Sequence, residues 1–249
     1  MIRQLIIALT ACIASTGCMR APQWAINPSL DDAADARPVS HHLGTPDADW
    51  QVLRVGGDMD ARITGSNGDW RFNRSRVDTP LPDGYPPPTP PGSIELKKYP
   101  GVRRAEVSGS VNPNLGMNFA FFPLFQHIKR RNIDMTSPVE MDYPGWQGQN
   151  NLPSEWTMSF LYRSSDLGPT GDDGRVRIID TEPLTVLAIG MNGSYMLSTV
   201  MQGIEALNAW LAEQDEWTEN GSPRAFYYND PGVPNRMKWL EVQIPVRLK

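Results

Sequence analysis

Apolar and polar positions alternate in short runs from Ile94 onward, and each set of runs is interrupted by one longer stretch of helical period. The order occurs twice, about eighty residues apart, the signature of an internal repeat. In the first copy Ile94 to Tyr99 and Val102 to Val107 read as strands about a Pro100-Gly101 turn. A helix follows from about Phe119 to Arg131, its apolar face Phe121, Leu124, Phe125 and Ile128 at the i, i+3, i+4, i+7 spacing, with Pro123 placed in its first turn. Strands at Ser137 to Tyr143 and Trp156 to Arg163 complete the unit. The second copy has strands at Val176 to Asp180 and Leu184 to Met191. A helix capped by Ser194 runs to about Glu213, with Leu197, Val200, Met201, Ile204, Leu207 and Leu211 as its buried stripe. Final strands run from Arg224 to Tyr228 and from Met237 to Val246. In the last, Leu240, Val242 and Ile244 alternate with Trp239, Glu241 and Gln243, so one face is aliphatic and the other carries a ring, a carboxylate and an amide. The expected fold is α+β: two pseudo-symmetric strand-strand-helix-strand-strand repeats closing into a distorted eight-stranded barrel, one helix per repeat, with a cleft between the halves.

Upstream of Ile94 no such period is sustained. Residues 19–92 are rich in Asp, Pro, Gly and Asn and read mostly as an acidic, Pro-rich disordered tether, with Trp50 to Val55 and Trp70 to Phe72 as short strands that dock on the main domain. Tyr85 to Gly92, with its consecutive prolines, reads as a stiff polyproline II spacer. The first seventeen residues form an address: Arg3 supplies the positive end and Leu5 to Ala14 an apolar stretch too short to span a bilayer. Ser15-Thr16-Gly17-Cys18 resembles the bacterial lipobox, with Cys18 as lipid acceptor, although Ser15 stands where Leu is more usual; an ordinary signal peptide is the alternative. The expected organisation is therefore a signal peptide over 1–17, a tether over 18–93 and one folded domain over 94–249. The chain is expected to be exported to the cell envelope or periplasm and to meet membrane through the lipid alone.

Composition narrows the chemistry. Cys12 and Cys18 are the only cysteines, so the body of the chain has no disulfide framework and no thiolate metal site. A net charge of -5 argues against a nucleic-acid partner, and the basic run Lys129-Arg130-Arg131 reads as the solvated end of the first helix.

Four segments carry a resemblance to the SOUL haem-binding family: Ile94 to Tyr99; Phe122-Pro123-Leu124-Phe125 with Ile128 and Asn132; Met135-Thr136-Ser137-Pro138-Val139; and Lys238 to Pro245. Met158 to Tyr162 and Arg224 to Pro231 add to it. The resemblance spans nearly all of residues 94–249. It implies a two-repeat barrel, also similar to gyrase-inhibitor-like effector-binding domains, and a capacity in some members for haem or another tetrapyrrole.

On that footing His127, the only histidine of the domain, is the candidate axial ligand, with an ordinary helix-edge histidine as the alternative; His41-His42 lies in the tether and reads as solvated. Met117 and Met135 bracket the first helix and, with Phe121 and Leu124, are candidates to line a cleft for a flat apolar ligand; thioethers also fill core gaps. Arg103, Arg104, Lys129 and Arg130 are candidate propionate partners. Glu241 beside Trp239 is the carboxylate to examine for a cationic ligand or for acid-base chemistry, with Tyr162, Tyr227 or Tyr228 near it. No Ser or Cys nucleophile motif, phosphate loop or H-E-x-x-H spacing is present. The expectation is a non-catalytic binder of haem, a tetrapyrrole or another flat apolar molecule. A small-molecule hydrolase using Glu241 and an envelope interaction module without ligand are the alternatives.

Overall fold

The computed structural model describes residues 50–77, 79–110, 112–146 and 152–249. The signal segment, Cys18 and His41-His42 lie outside the described residues. Of the main sheet's strands, those from the first repeat are β5 (Ser93–Tyr99), β6 (Arg103–Gly109), β7 (Val139–Asp142) and β8 (Trp156–Leu161). Those from the second are β10 (Val176–Asp180), β11 (Leu184–Asn192), β13 (Arg224–Tyr227) and β14 (Trp239–Leu248). Their order is β5-β11-β14-β13-β7-β8-β6-β10, so the first strand of each repeat pairs with the second strand of the other.

The sheet does not close into the expected eight-stranded barrel. Closure would pair β5 with β10, but the outer edge of β5 is taken by β1 (Val52–Gly57) and that of β10 by β9 (Gly171–Asp173); with β12 (Trp217–Glu219) on β14 the sheet has 11 strands and remains open. Both edge strands come from sequence outside the two repeats, which is why the repeat pattern alone suggests closure.

Alternation along the strands gives the sheet two different faces. The helix-covered face is aliphatic: Ala105 and Val107, Met158 and Phe160, Leu187 and Ile189, Leu240, Val242 and Ile244 form one core with Leu124, Val200, Ile204 and Leu207 of the helices. The other face carries Tyr99, Val186, Ala188, Phe226, Tyr228 and Trp239. It is covered by residues 63–92, the region expected as tether. A small sheet of β2 (Thr64–Ser66), β3 (Asp69–Phe72) and β4 (Ser75–Val77) brings Trp70, Phe72 and Val77 onto it. The proline run then crosses it as a strap: Pro86, Pro88, Thr89 and Pro90 are buried, and Gly92 N–H donates to Gly190 O at 2.8 Å. The segment's few apolar residues bury one at a time against the main sheet instead of forming a core of their own, so no period marks them.

Helix α1 (Pro113–Arg131) begins earlier than expected. The Asn112 side chain accepts the Asn114 N–H, so Pro123 sits inside the helix and not in its first turn. Its buried positions are Pro113, Gly116, Ala120, Leu124, His127 and Ile128, a stripe rotated from the expected one toward small residues. Gly116 and Gly109 explain the rotation, because a Cβ at either would lie within 2.3 Å of the Trp156 ring. Phe125, expected on the buried face, is exposed. Helix α2 (Leu197–Ala212) follows the expected stripe, but Ser194 does not cap it; its hydroxyl meets Thr199 Oγ1, and Asn114 of α1 accepts the Leu197 N–H at 2.9 Å. The start of α2 is thus tied to the start of α1, and the gap between them is the mouth of a cleft.

Candidate functional site

A cleft of about 710 Å³ opens on the helix side of the sheet between α1 and Ser194–Met196. Met117, Phe121 and Phe122 form one wall, Met135, Val139 and Met158 the floor, and Tyr195, Met196, Tyr227 and the turn Tyr228–Pro231 the far side, with Lys238 at its edge. The volume lies within the ~300–1,000 Å³ of small-molecule sites. The aromatic side is fixed: the Tyr195 and Tyr227 rings stack at 4.3 Å, the Tyr195 hydroxyl accepts the Asn229 N–H at 2.8 Å and donates to Trp239 O, and the Lys238 ammonium lies 4.9 Å from the Tyr195 ring. The opposite wall is adaptable, because thioethers repack at low cost. Phe122 is 62% exposed at the rim.

Of the residues singled out from sequence, Met117, Phe121 and Met135 line this cleft, whereas Leu124 is sealed in the core. His127 lies elsewhere, 1% exposed, beside a cavity of only about 120 Å³. Both ring nitrogens are engaged: Nδ1 lies 2.6 Å from Asp173 Oδ2 and Nε2 2.7 Å from the Tyr162 hydroxyl. An Nδ1–H donating to Asp173 and an Nε2 accepting from Tyr162 satisfies both contacts, which holds the Asp173 carboxyl below its usual range and leaves no lone pair for iron. Of the candidate propionate partners, Arg103 pairs with Asp180 at 2.7 Å and Arg130 with Asp173 at 3.2 Å, while the Lys129 ammonium lies 5.2 Å from the Phe125 ring. Arg104 is on the opposite face of the sheet.

Trp239 and Glu241 are also on the opposite face, under the strap. Glu241 is wholly buried; its Oε1 accepts from Lys97 Nζ (2.9 Å), Thr89 N (2.7 Å) and Tyr228 Oη (2.7 Å), and its Oε2 from Gln243 Nε2 (2.7 Å) and Tyr99 Oη (3.3 Å). Burial acts to raise its pKa, but the Lys97 ammonium and these donors outweigh burial and hold the carboxyl below its ordinary value. Trp239 Nε1–H donates to Thr89 O at 2.8 Å. The two residues are a structural lock on the strap, closed to solvent.

Beyond the strap's edge, β6, β7 and β13 carry a charged cluster. Burial first, and the neighbouring Glu140 carboxylate second, raise Asp142 from 3.8 to about 7, against the pull of Arg104 and Arg224; Glu106 and Arg177 complete the charged surroundings. The folded chain thus keeps a proton that the unfolded chain releases from about pH 4, and this group's contribution to stability falls as pH rises toward 7. Asp142→Asn is expected to flatten the melting temperature across that window relative to the parent, measured by thermal denaturation in buffers of matched ionic strength.

Met158, Tyr195, Met196, Tyr227 and Lys238 were not foreseen in the cleft. Tyr195-Met196, just ahead of a predicted helix, was the one legible cue, since exposed apolar residues at a helix entry often face a neighbour.

With two helices on one side of an open antiparallel sheet and an apolar cleft between them, the molecule is an α+β domain. Residues 88–245 match the family model described as SOUL heme-binding protein, and the chain belongs to that family. A search of curated proteins found no match. Among solved structures the chain is similar to the EcmrR C-terminal domain (14% identity, TM-score 0.52, 62% of this chain and 96% of that one). It is similar too to EcmrR in a complex with DNA, at the same identity and score, but there the match spans only 57% of the EcmrR chain. A structure described as a hydrolase from Listeria innocua matches at 14% identity and a TM-score of 0.46, over 65% of this chain and 94% of that one. At 14% identity the likeness to EcmrR concerns the fold alone.

Proposed function

We propose that the cleft between α1 and Ser194–Met196 binds haem or another flat, largely apolar tetrapyrrole without catalysis. The observation that carries this is an open cleft of about 710 Å³ walled by Met117, Phe121, Met135, Met158 and Met196 in a chain of a haem-binding family. The residues fit such a ligand: apolar walls suit a macrocycle, Met thioethers are soft donors near which iron could sit, and Lys238 supplies a cation at the rim for a propionate. When bound, the group would bring its own redox and light-absorbing chemistry; the chain would hold it, shield it and keep it oriented against the Tyr195-Tyr227 stack. A hydrolase built on Glu241 has no comparable support, because that carboxylate is closed to substrate. The same proposal includes export through residues 1–17 and a lipid at Cys18 that holds the domain at the envelope.

Hemin added to the purified chain is expected to give a saturable Soret shift. Met117→Ala/Met135→Ala is expected to weaken binding about tenfold, equivalent to ~1.4 kcal/mol, while His127→Ala leaves the spectrum unchanged. A shift abolished by His127→Ala and untouched by the double variant would relocate the site and refute the cleft.

A further inference from the structure

The charged cluster on the helix-free face floors a second cleft of about 510 Å³, rimmed by Tyr85, Pro100, Pro183 and Pro245. Its ion pairs account for most of the polar atoms. Arg104 Nη1 meets Glu140 at 3.1 Å and Asp142 at 2.8 Å, Arg177 Nη2 meets Glu106 at 2.6 Å, and Arg224 donates through Nη1 to Glu140 at 2.9 Å and through Nε to Gln243 at 2.8 Å. Two groups are left over. Arg224 Nη2 is buried with no hydrogen-bond partner among the described residues, and so is the hydroxyl of Ser159, which stands between Glu106 and Glu140 in the strand register.

A buried guanidinium N–H without an acceptor is costly, at roughly 1–3 kcal/mol or more for a charged group, and an acceptor brought by a ligand removes that cost. Arg104, Arg177 and Arg224 share the cleft with Glu106, Glu140, Asp142 and Glu182, so the anchor for a ligand is the unpartnered N–H and not an excess of charge. Arg177 is 63% exposed, placed to meet an anion from solvent. The prolines and the Tyr85 ring add apolar edges beside Thr181, Glu182 and Ser222.

We propose that this cleft is a binding site for a small planar carboxylic acid in its ionised form, the carboxylate accepting from Arg224 Nη2 and from Arg177 and the planar body lying along Tyr85 and the proline rim. The site is independent of the tetrapyrrole cleft, from which the sheet separates it. Nothing covalent is involved; the ligand displaces water and completes the guanidinium's hydrogen bonding.

Benzoate is the probe, with its neutral amide benzamide and inorganic phosphate as comparators, titrated calorimetrically into the full-length chain at pH 7. Benzoate is expected to bind saturably, benzamide and phosphate at least about tenfold more weakly. Arg177→Gln is expected to weaken benzoate about threefold, and Arg224→Lys about tenfold with its circular dichroism retained. If Arg224→Lys does not fold, Arg177→Gln decides the matter alone, because its side chain is 63% exposed and Glu106 keeps Arg104 as a partner at 3.0 Å. Equal binding of benzamide and benzoate, phosphate binding as tightly as benzoate, no saturation with benzoate at about 10 mM, or benzoate affinity unchanged in Arg177→Gln would each overturn the proposal. Saturating hemin is expected not to displace benzoate, so the two sites succeed or fail separately.

Discussion

Lys97→Ala is expected to destabilise the fold by about 3–5 kcal/mol, the usual cost of stripping one partner from a buried ion pair, between about a fifth and all of the ~5–15 kcal/mol that holds a typical domain together. Lys97 and Glu241 are each 0% exposed, so no water replaces the lost partner. The ammonium also donates to Pro87 O at 2.7 Å and to Thr89 Oγ1 at 3.0 Å, and those acceptors lose their donor as well. Glu241→Ala should cost a similar amount, because it strands the ammonium and removes the acceptor for Tyr228, Thr89 and Gln243. The double variant Lys97→Met/Glu241→Gln should recover most of the loss, since neither charge is then buried and Gln keeps an acceptor for Tyr228. Because Glu241 is held below its ordinary value, the stability it contributes is in place above about pH 4.5 and is lost as pH falls through its folded pKa; the double variant should lack that acid limb. Urea unfolding of the two single variants and the double variant checks both statements. Single variants that cost under about 1 kcal/mol would place the pair in the class of solvated surface bridges.

The second large effect is expected at Gly190→Ala. A Cβ there would lie 2.2 Å from Thr89 O and 2.4 Å from Pro90 O, backbone atoms that cannot swing aside as a side-chain tip can. The strap must lift, and with it go the Gly92–Gly190 hydrogen bond and the bonds of Thr89 to Glu241 and Trp239. Overpacking alone costs ~1–3 kcal/mol, and the loss of these bonds adds to it. Gly193→Ala is the control, since its Cβ would meet only the Thr199 side chain, at 3.3 Å. Thermal melts should separate the two variants, and limited proteolysis should cut residues 85–92 faster in Gly190→Ala than in the parent. Equal cleavage would mean that the strap is held by something other than its seat on β11.

The repeat in the sequence was sufficient to locate its own eight strands and both helices; Trp50 to Val55, read apart from the repeat as a docking strand, corresponds to β1, whereas β9 and β12 left no legible pattern. Alternation and helical period arise from burial on one face of a large common core, and Ile94 to Leu248 have that core. Residues 50–93 do not: Leu53, Trp70, Phe72, Val77 and Tyr85 each pack on a surface built by distant sequence, so their spacing follows that surface. The candidate site divides in the same way. Met117 and Phe121 on α1 and Met135 just beyond it could be inferred to lie together, whereas Tyr195 and Met196 come from the entry to α2, whose start Asn114 ties to the start of α1, and Lys238 from the entry to β14. His127 looked like a helix-edge residue because the stripe was centred on phenylalanines. Gly116, which lets the helix press against Trp156, turns it inward to Asp173 and Tyr162, a shift that a hydrophobicity pattern does not register.

The strap's role sets where this chain tolerates added length. An extra residue inserted between Tyr85 and Ser93 would move the donor of Thr89 and the acceptor of Pro87 out of step with Glu241 and Lys97, so even a short insertion there should unseat the polar interior it closes. At a loop tip such as Gly168–Gly171 an added Cβ at either glycine meets nothing within 4 Å, so extra length there disturbs less, chiefly the hydrogen bond from Arg103 to Gly168 O. Fusion partners, tags or natural insertions are best accommodated at that tip, and a shortened chain beginning at Ile94 would leave a carboxylate and an amine without the backbone groups that neutralise their burial.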